Sequence, residues 1–247
     1  LTKGTVTAEI DPTETVDSLV NLTGTNAYTI VISAEDATSS TAAEFNAINS
    51  ATSVAVDMTN VTALAASTLS DVNTLALAIK DWRNTDQIRN GGRLTTVAIS
   101  DSTIDATALA TAIDNLDGIN GGSSTDMTLA SEATINVDAG EVTHMLLDET
   151  ENRLDIVDQN IVVTGNISVD DANLLSETTT GTVTASIATT ESIAELKTLT
   201  ETSNAYTIVI SSSDATATAG DLLAIEGKTT VIIDASEVTA ISGSFNQ

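Results

Sequence analysis

The amino-acid sequence predicts an α/β solenoid, in which right-handed stacked coils each carry short parallel strands and short helices. Three observations lead there. The first is duplication: residues 4–67 and 181–244 are two copies of one text. Gly4–Ile10 (GTVTAEI) returns as Gly181–Ile187 (GTVTASI), Asn26–Ser33 (NAYTIVIS) returns unchanged at Asn204–Ser211, and Val54–Ala63 returns as Val231–Ala240. Self-similarity at a fixed interval marks repeat architectures, where a unit buries its apolar face only against its neighbours. The second is a finer alternation, a helix-like stretch and a β run recurring every 20–40 residues or so. The third is composition: 41% of residues are hydrophobic but only 2% aromatic, so the core is Ala, Val, Ile and Leu. A compact core of this size leans on large aromatic side chains, whereas a narrow interior filled layer by layer does not need them.

The helical stretches follow from apolar residues three or four apart: Val16/Leu19/Leu22, Phe45/Ile48, Leu69/Val72/Leu75, Leu109/Ile113/Leu116, Ile193/Leu196/Leu199 and Leu222/Ile225. Ser, Thr or Asp stands just ahead of them, as N-capping requires. Helices this short with one narrow stripe must dock on something. The β runs are Thr5–Ile10, Tyr28–Ser33, Val54–Asp57, Leu94–Ser100, Thr134–Asp138, Ile161–Thr164, Thr182–Ile187, Tyr206–Ser211 and Thr230–Asp234. Some alternate and others are continuous, as in strands covered on both faces. Strands joined through helices pair in parallel with right-handed crossovers, giving coils loosely like leucine-rich repeats; a plain parallel β-helix is the alternative. The expected core includes Val54, Val56, Ile135, Val137, Ile208, Ile210, Val231 and Ile233, closed by Leu19, Leu75, Leu196 and Leu222.

Two irregular inserted coils, residues 80–93 and 114–126, carry the Gly-Gly and Asn-rich punctuation of surface loops. No Pro- or Ser-rich linker divides the chain, so residues 1–247 read as a single continuous solenoid segment. The copies run close to both ends and Leu1 is not a Met, so the expectation is a window of something longer.

Eight Lys and Arg against 35 Asp and Glu give a net charge of −27. That surface repels phosphates and anionic lipid, which argues against nucleic-acid or membrane-surface partners. Absence of Cys removes disulfides, thiolate metal sites and Cys nucleophiles. No apolar run of about 18 residues is present, so no membrane-spanning helix is expected. The single histidine, His144, gives neither a His-based triad nor a metal cluster, and Gly91-Gly92 and Gly121-Gly122 lack the strand–helix setting of a phosphate loop. The chain is expected to be non-catalytic.

Two features point to contacts. Asp57, Asp138 and Asp234 end β runs and are each followed, after three residues, by Val-Thr. Such an Asp either closes its own turn by accepting a backbone N–H two residues on, or joins stacked carboxylates at a coil corner that call for Ca²⁺ as counter-ion. The segment holding Lys80, Trp82, Arg83, Arg89 and Arg93 collects half of the basic residues and the single Trp. It either plugs an irregular coil, its arginines pairing with Asp81 and Asp86, or contacts an acidic neighbour such as another copy, since Arg and Trp are enriched at binding hot spots.

The wording of Gly181–Ser211 and Asp221–Ser244 resembles repeats in giant cell-surface proteins of marine cyanobacteria, with similar arrays in structural proteins of their phages. The likeness covers residues 4–67 and 181–244, fades between them, and includes no catalytic motif. It implies an acidic, extracellular or surface-displayed filamentous protein whose partners are neighbouring copies or other surface components. The second expectation is an adhesin or phage-fibre module that binds glycan or protein through edge loops.

Overall fold

The computed structural model describes residues 4–80, 88–89, 94–119 and 125–243. The chain is mixed α/β, with several parallel sheets of short strands and no closed barrel among the described residues. In chain order the strands are β1 (Thr7–Glu9), β2 (Ala27–Thr29), β3 (Val56–Asp57), β4 (Ala63–Ser67), β5 (Ile88–Arg89), β6 (Thr96–Ile99), β7 (Thr103–Asp105), β8 (Asp126–Thr128), β9 (Thr134–Asp138), β10 (Leu154–Asp155), β11 (Asn160–Ile167), β12 (Val183–Ile187), β13 (Ala205–Thr207), β14 (Thr216–Thr218) and β15 (Ala240–Ser242). The helices are α1 (Val16–Leu19), α2 (Ala42–Ser50), α3 (Leu69–Lys80), α4 (Ala106–Ile119), α5 (Val142–Thr150), α6 (Val169–Thr178), α7 (Ile193–Leu196) and α8 (Ala219–Glu226).

Hydroxyl caps start these helices. Thr15, Thr41, Ser168, Ser192 and Thr218 each accept from an amide in the first turn, and Thr41–Glu44 and Ser192–Glu195 form reciprocal capping boxes. Each cap satisfies amide donors that the helix itself leaves open.

Every described strand pair is parallel and joins one strand to a later one a single step along the chain. The step runs from 20 residues, where Thr7 faces Ala27, to 33, where Ala63 faces Thr96. Within each sheet the strands follow chain order: β4-β6-β8-β10 in one, β7-β9-β11-β12-β13 in another, and β1-β2, β3-β5 and β14-β15 as pairs. A parallel pair cannot be closed by a tight hairpin, which is why a helix or turn-rich crossover fills each step. In β11 the ladder shifts register between Val162 and Asn166, and Gly165 takes a φ of +96° there, a conformation that suits glycine.

The chain forms two compact units that exchange it several times. One comprises residues up to Asp101, Ala108–Ala130 and Asp148–Asp155; the other comprises Ser102–Thr107, Ser131–Leu147 and the residues from Ile156 onward. From β6 to β11 the chain adds alternately to the four-stranded sheet of the first unit and the five-stranded sheet of the second.

The core is aliphatic. In the first unit Leu19, Ile30, Ile32, Phe45, Ile48, Val56, Leu75 and Val97 are buried; in the second, Ile135, Val137, Ile161, Val183, Leu196, Ile208 and Ile210 are. Part of the expected core departs from this. Val231 is exposed, Ile233 and Leu222 are only half-buried, and the run Thr230–Asp234 is no strand, keeping one bridge from Asp234 to Val209. Its equivalent in the first copy, Val54–Asp57, has Ala55 and Val56 buried where β5 pairs with β3; Val54 and Asp57 are half-buried. No described strand follows the second copy to do the same. The expected surface loops are also partly regular: Asp114–Ile119 continues α4, and Ile88 is buried in β5.

Candidate functional site

Polar side chains recur at equivalent places and tie each step to the next. The helix starts show it first. The amide of Val16, opening α1, donates to Asp36 at 3.2 Å, that of Ala42 to Ser67 at 2.9 Å, that of Leu69 to Asp101 at 2.7 Å, and that of Ile193 to Asp214 at 2.9 Å. Glu191 accepts from Val169, the first residue of α6. In each case the acceptor comes from the following step. An anion or hydroxyl oxygen beside open amides at a helix start is favourable twice over, by hydrogen bonding and by the helix dipole. Burial and the neighbouring charges of Glu195, Asp170 and Asp171 push the Glu191 carboxyl above its ordinary value, against the pull of the Val169 amide.

The strand starts show it again, and here the two copies repeat one network. Asn26 accepts from the amide of Val6 at 3.0 Å and donates to the Tyr28 hydroxyl at 3.1 Å. Asn204 accepts from Val183 at 2.8 Å and donates to Tyr206 at 3.0 Å. One step on, the Thr52 hydroxyl accepts from the Tyr28 amide at 3.0 Å and donates to the Tyr28 carbonyl at 2.7 Å; Thr229 does the same to Tyr206 at 2.9 and 2.7 Å. A threonine hydroxyl thus stands in for the backbone pair that a ladder partner would supply.

The copies differ in cover. Asn204 is 2% exposed, and its amide group also donates to Ser176 of α6 at 2.9 Å, while Tyr206 donates to the carbonyl of Ala172 at 3.2 Å. Burial pushes the Tyr206 phenol up, with the Ser176 and Asn204 bonds opposing it. Asn26 and Tyr28 are half-buried.

The strand-end aspartates close their own turns. Asp57 accepts from the amide and hydroxyl of Thr59 at 3.0 and 2.7 Å, Asp138 from the amide of Gly140 at 3.0 Å, and Asp234 from that of Ser236 at 2.9 Å. Asp11 makes the same turn with Thr13. These bonds, from backbone and hydroxyl, hold Asp11 and Asp234 below their ordinary values. Asp57 lies in the first unit and Asp138 and Asp234 in the second. Among the described residues no group of three His, Asp or Glu side chains is arranged to hold a metal ion.

Of the basic segment, Arg89 is exposed on β5, in register beside Asp57. Trp82, Arg83 and Arg93 and the side chain of Lys80 lie outside the described residues, as do Gly91-Gly92 and Gly121-Gly122. His144 is exposed on α5. A charge cluster that the sequence did not signal surrounds Arg153, which pairs with Asp117, Asp148 and Glu151 at 3.0, 2.5 and 3.0 Å. Burial alone would lower the guanidinium; the Asp117 bond and the three negative charges outweigh it and hold it above its ordinary value.

A cleft of about 400 Å³ lies between Ser176–Gly181 and Glu201–Asn204. It is lined by hydroxyls and by the carboxylates of Glu177 and Glu201, with no aromatic platform. Its innermost groups, Asn204, Ser176 and Thr179, are already bonded to one another or to backbone.

The step-to-step acceptors escaped the sequence reading, although the duplication held a signal. Asp36 and Asp214 occupy the same place after NAYTIVIS in each copy. Compared with known proteins, the chain matches no family model, no curated protein and no solved structure.

Proposed function

We propose that this chain is a non-catalytic structural repeat segment of a large extracellular or surface-displayed filamentous protein, its steps being the coils of a right-handed α/β solenoid. Its work is mechanical. The observation that carries the reading is the reuse of polar chemistry: in both copies the same Asn, Tyr and Thr bond one step to the next, and acidic side chains cap the helix of the step before. A protein held by nearest-neighbour contacts lengthens by adding equivalent steps, each stabilised by the last. The sequential parallel order of every sheet agrees with such winding.

The net charge of −27 suits a long assembly that must stay soluble, and it disfavours nucleic acid as partner. Among the described residues no helix is long and apolar enough to cross a membrane. The partners are neighbouring copies or other surface components, and Ca²⁺ is the counter-ion such a surface would attract.

The test is antibody labelling of intact producing cells. Labelling without permeabilisation supports a surface structure. Signal that appears only after the cells are opened overturns it.

A further inference from the structure

The two copies differ at the turn that leads from β1 to α1, and the difference bears on the backbone itself. The first copy reads Ile10-Asp11-Pro12-Thr13-Glu14 there, and the second reads Ile187-Ala188-Thr189-Thr190-Glu191. The turn is the same in both: the amide of Glu14 donates to the Asp11 carbonyl at 3.0 Å, and that of Glu191 to the Ala188 carbonyl at 3.1 Å. The first copy places a carboxylate at this point and follows it with the single proline of the chain. Asp11 and Pro12 are both exposed.

Three features of the turn act on the Asp11–Pro12 peptide bond. The Asp11 side chain reaches forward, its Oδ1 accepting from the amide and hydroxyl of Thr13 at 2.9 and 2.7 Å, a closed loop that holds the carboxylate beside the carbonyl of its own residue. The Glu14 amide polarises that carbonyl oxygen and is already in place for negative charge developing on it. The nitrogen on the far side belongs to proline, so it carries no hydrogen and donates no backbone bond. A tertiary amide nitrogen of this kind takes a proton and departs as a secondary amine more readily than an ordinary peptide nitrogen departs. Asp138 is the internal contrast. It makes the same side-chain turn with Gly140 at 3.0 Å, and its carbonyl accepts from Glu141 at 2.8 Å, but the nitrogen that follows, of Ala139, is tied through its hydrogen to the Thr164 carbonyl at 2.9 Å.

We propose that the Asp11–Pro12 bond is a self-cleavage site, cut in mild acid by the side chain of Asp11. A carboxylate oxygen of Asp11 attacks the Asp11 carbonyl carbon and forms a cyclic anhydride. The carbon–nitrogen bond breaks, and the proline nitrogen takes a proton from the acidic solvent and leaves as a secondary amine. Water then opens the anhydride. The net change is consumption of a water molecule to give a chain ending in the free carboxyl of Asp11 and a chain beginning with the amine of Pro12. A positioned carboxylate is a competent nucleophile. The Thr13 bonds also hold the Asp11 carboxyl below its ordinary value, so it stays ionised in acid, where the leaving nitrogen finds its proton. A cleft of about 260 Å³ beside Pro12 and Glu35 gives water access to the bond. The event is a single turnover on the chain's own backbone. It gives a repeat segment a point at which acid severs it, while the residues before the cut keep the ladder of β1 with β2.

The experiment is incubation of the purified 247-residue chain at neutral pH and at about pH 5, just above the ordinary carboxylate range, followed over days by intact-mass spectrometry. Circular dichroism on the same samples shows whether the chain is folded. The expected result is a pair of fragments split between Asp11 and Pro12 that accumulates at the lower pH, more slowly at neutral pH, with no cut between Asp138 and Ala139. Because the turn positions the carboxylate, the folded chain should be cut roughly tenfold faster than the same chain unfolded in urea at the same pH. Asp11→Ala and Pro12→Ala, both at exposed positions, should lose the fragments and stay folded. A folded chain that remains intact in acid overturns the proposal, and so does equal cutting of the Pro12→Ala variant. Cutting in urea as fast as in the folded chain also overturns it, because the turn would then contribute nothing. Those outcomes leave surface labelling of cells untouched, so the cleavage site and the structural role fail separately.

Discussion

Replacing Asn204 by Ala tests the step-to-step network where its magnitude can be worked out. The side chain is buried and makes three bonds, from Val183 and to Ser176 and Tyr206. Two lost donor bonds are worth about 1 kcal/mol each, and an amide of Val183 left buried without a partner costs a further 1–3 kcal/mol or so. The expected loss is about 3–5 kcal/mol. Asn26→Ala is the internal control, since Asn26 makes the equivalent bonds to Val6 and Tyr28 where water reaches. Solvent then replaces the missing group, and the loss should be about 1 kcal/mol. Urea unfolding followed by far-ultraviolet circular dichroism reads both as shifts in midpoint at constant slope. Equal losses, or a larger one at Asn26, would refute the argument that cover by the preceding step sets the value of the network.

Four further outcomes follow from particular groups. Arg153→Met should destabilise by about 3 kcal/mol by removing the cation that pairs with Asp148, 2% exposed, and adding Asp148→Leu should restore part of that loss in the same urea assay. Gly181→Ala should lower the melting temperature through a backbone clash, because a Cβ there would lie 2.1 Å from the carbonyl oxygen of Gln159; unchanged melting would show that the close approach is soft. Asp11, Glu195, Asp221 and Asp234 titrate below their ordinary values when folded, so the stability they add is present above about pH 4 and is lost as pH falls through those lowered values. Glu191 has the opposite sign: its raised value penalises the folded state at neutral pH, so Glu191→Gln should raise melting at pH 7 and leave it unchanged in acid.

What was legible in the sequence was the part carried by β-branched runs and by duplication. β9 falls where Thr134–Asp138 predicts it, β12 lies within one residue of expectation, and α7 starts at the expected Ile193 but ends at Leu196, short of Leu199. The second strand of each step was not legible, because β7, β8, β10 and β14 are two or three residues long and hold their place through partners 24 to 31 residues away, as Thr103 faces Thr134 and Thr216 faces Ala240. α6 escaped because its buried stripe runs through Val169, Ala172, Leu175 and Ser176, too small and too polar to stand out. α5 shows how context overrides text: the same Asp-x-x-x-Val-Thr leads into β4 after Asp57 but into a helix after Asp138, where His-Met-Leu-Leu follows. At the candidate site, the spacing of the three aspartates offered turn closure beside a Ca²⁺-bridged corner, and all three make the turn bond. The caps of Asp36, Asp101, Glu191 and Asp214 were not legible, because they depend on which step lies next to which.

Amide hydrogen exchange on the folded chain tests most directly whether each step is held by its neighbours. The account predicts graded protection: slowest exchange in β11 and β12, which are paired on both sides, and fastest in β1 and β15, each paired on one side among the described residues. Protection in β15 equal to that in β12 would contradict it.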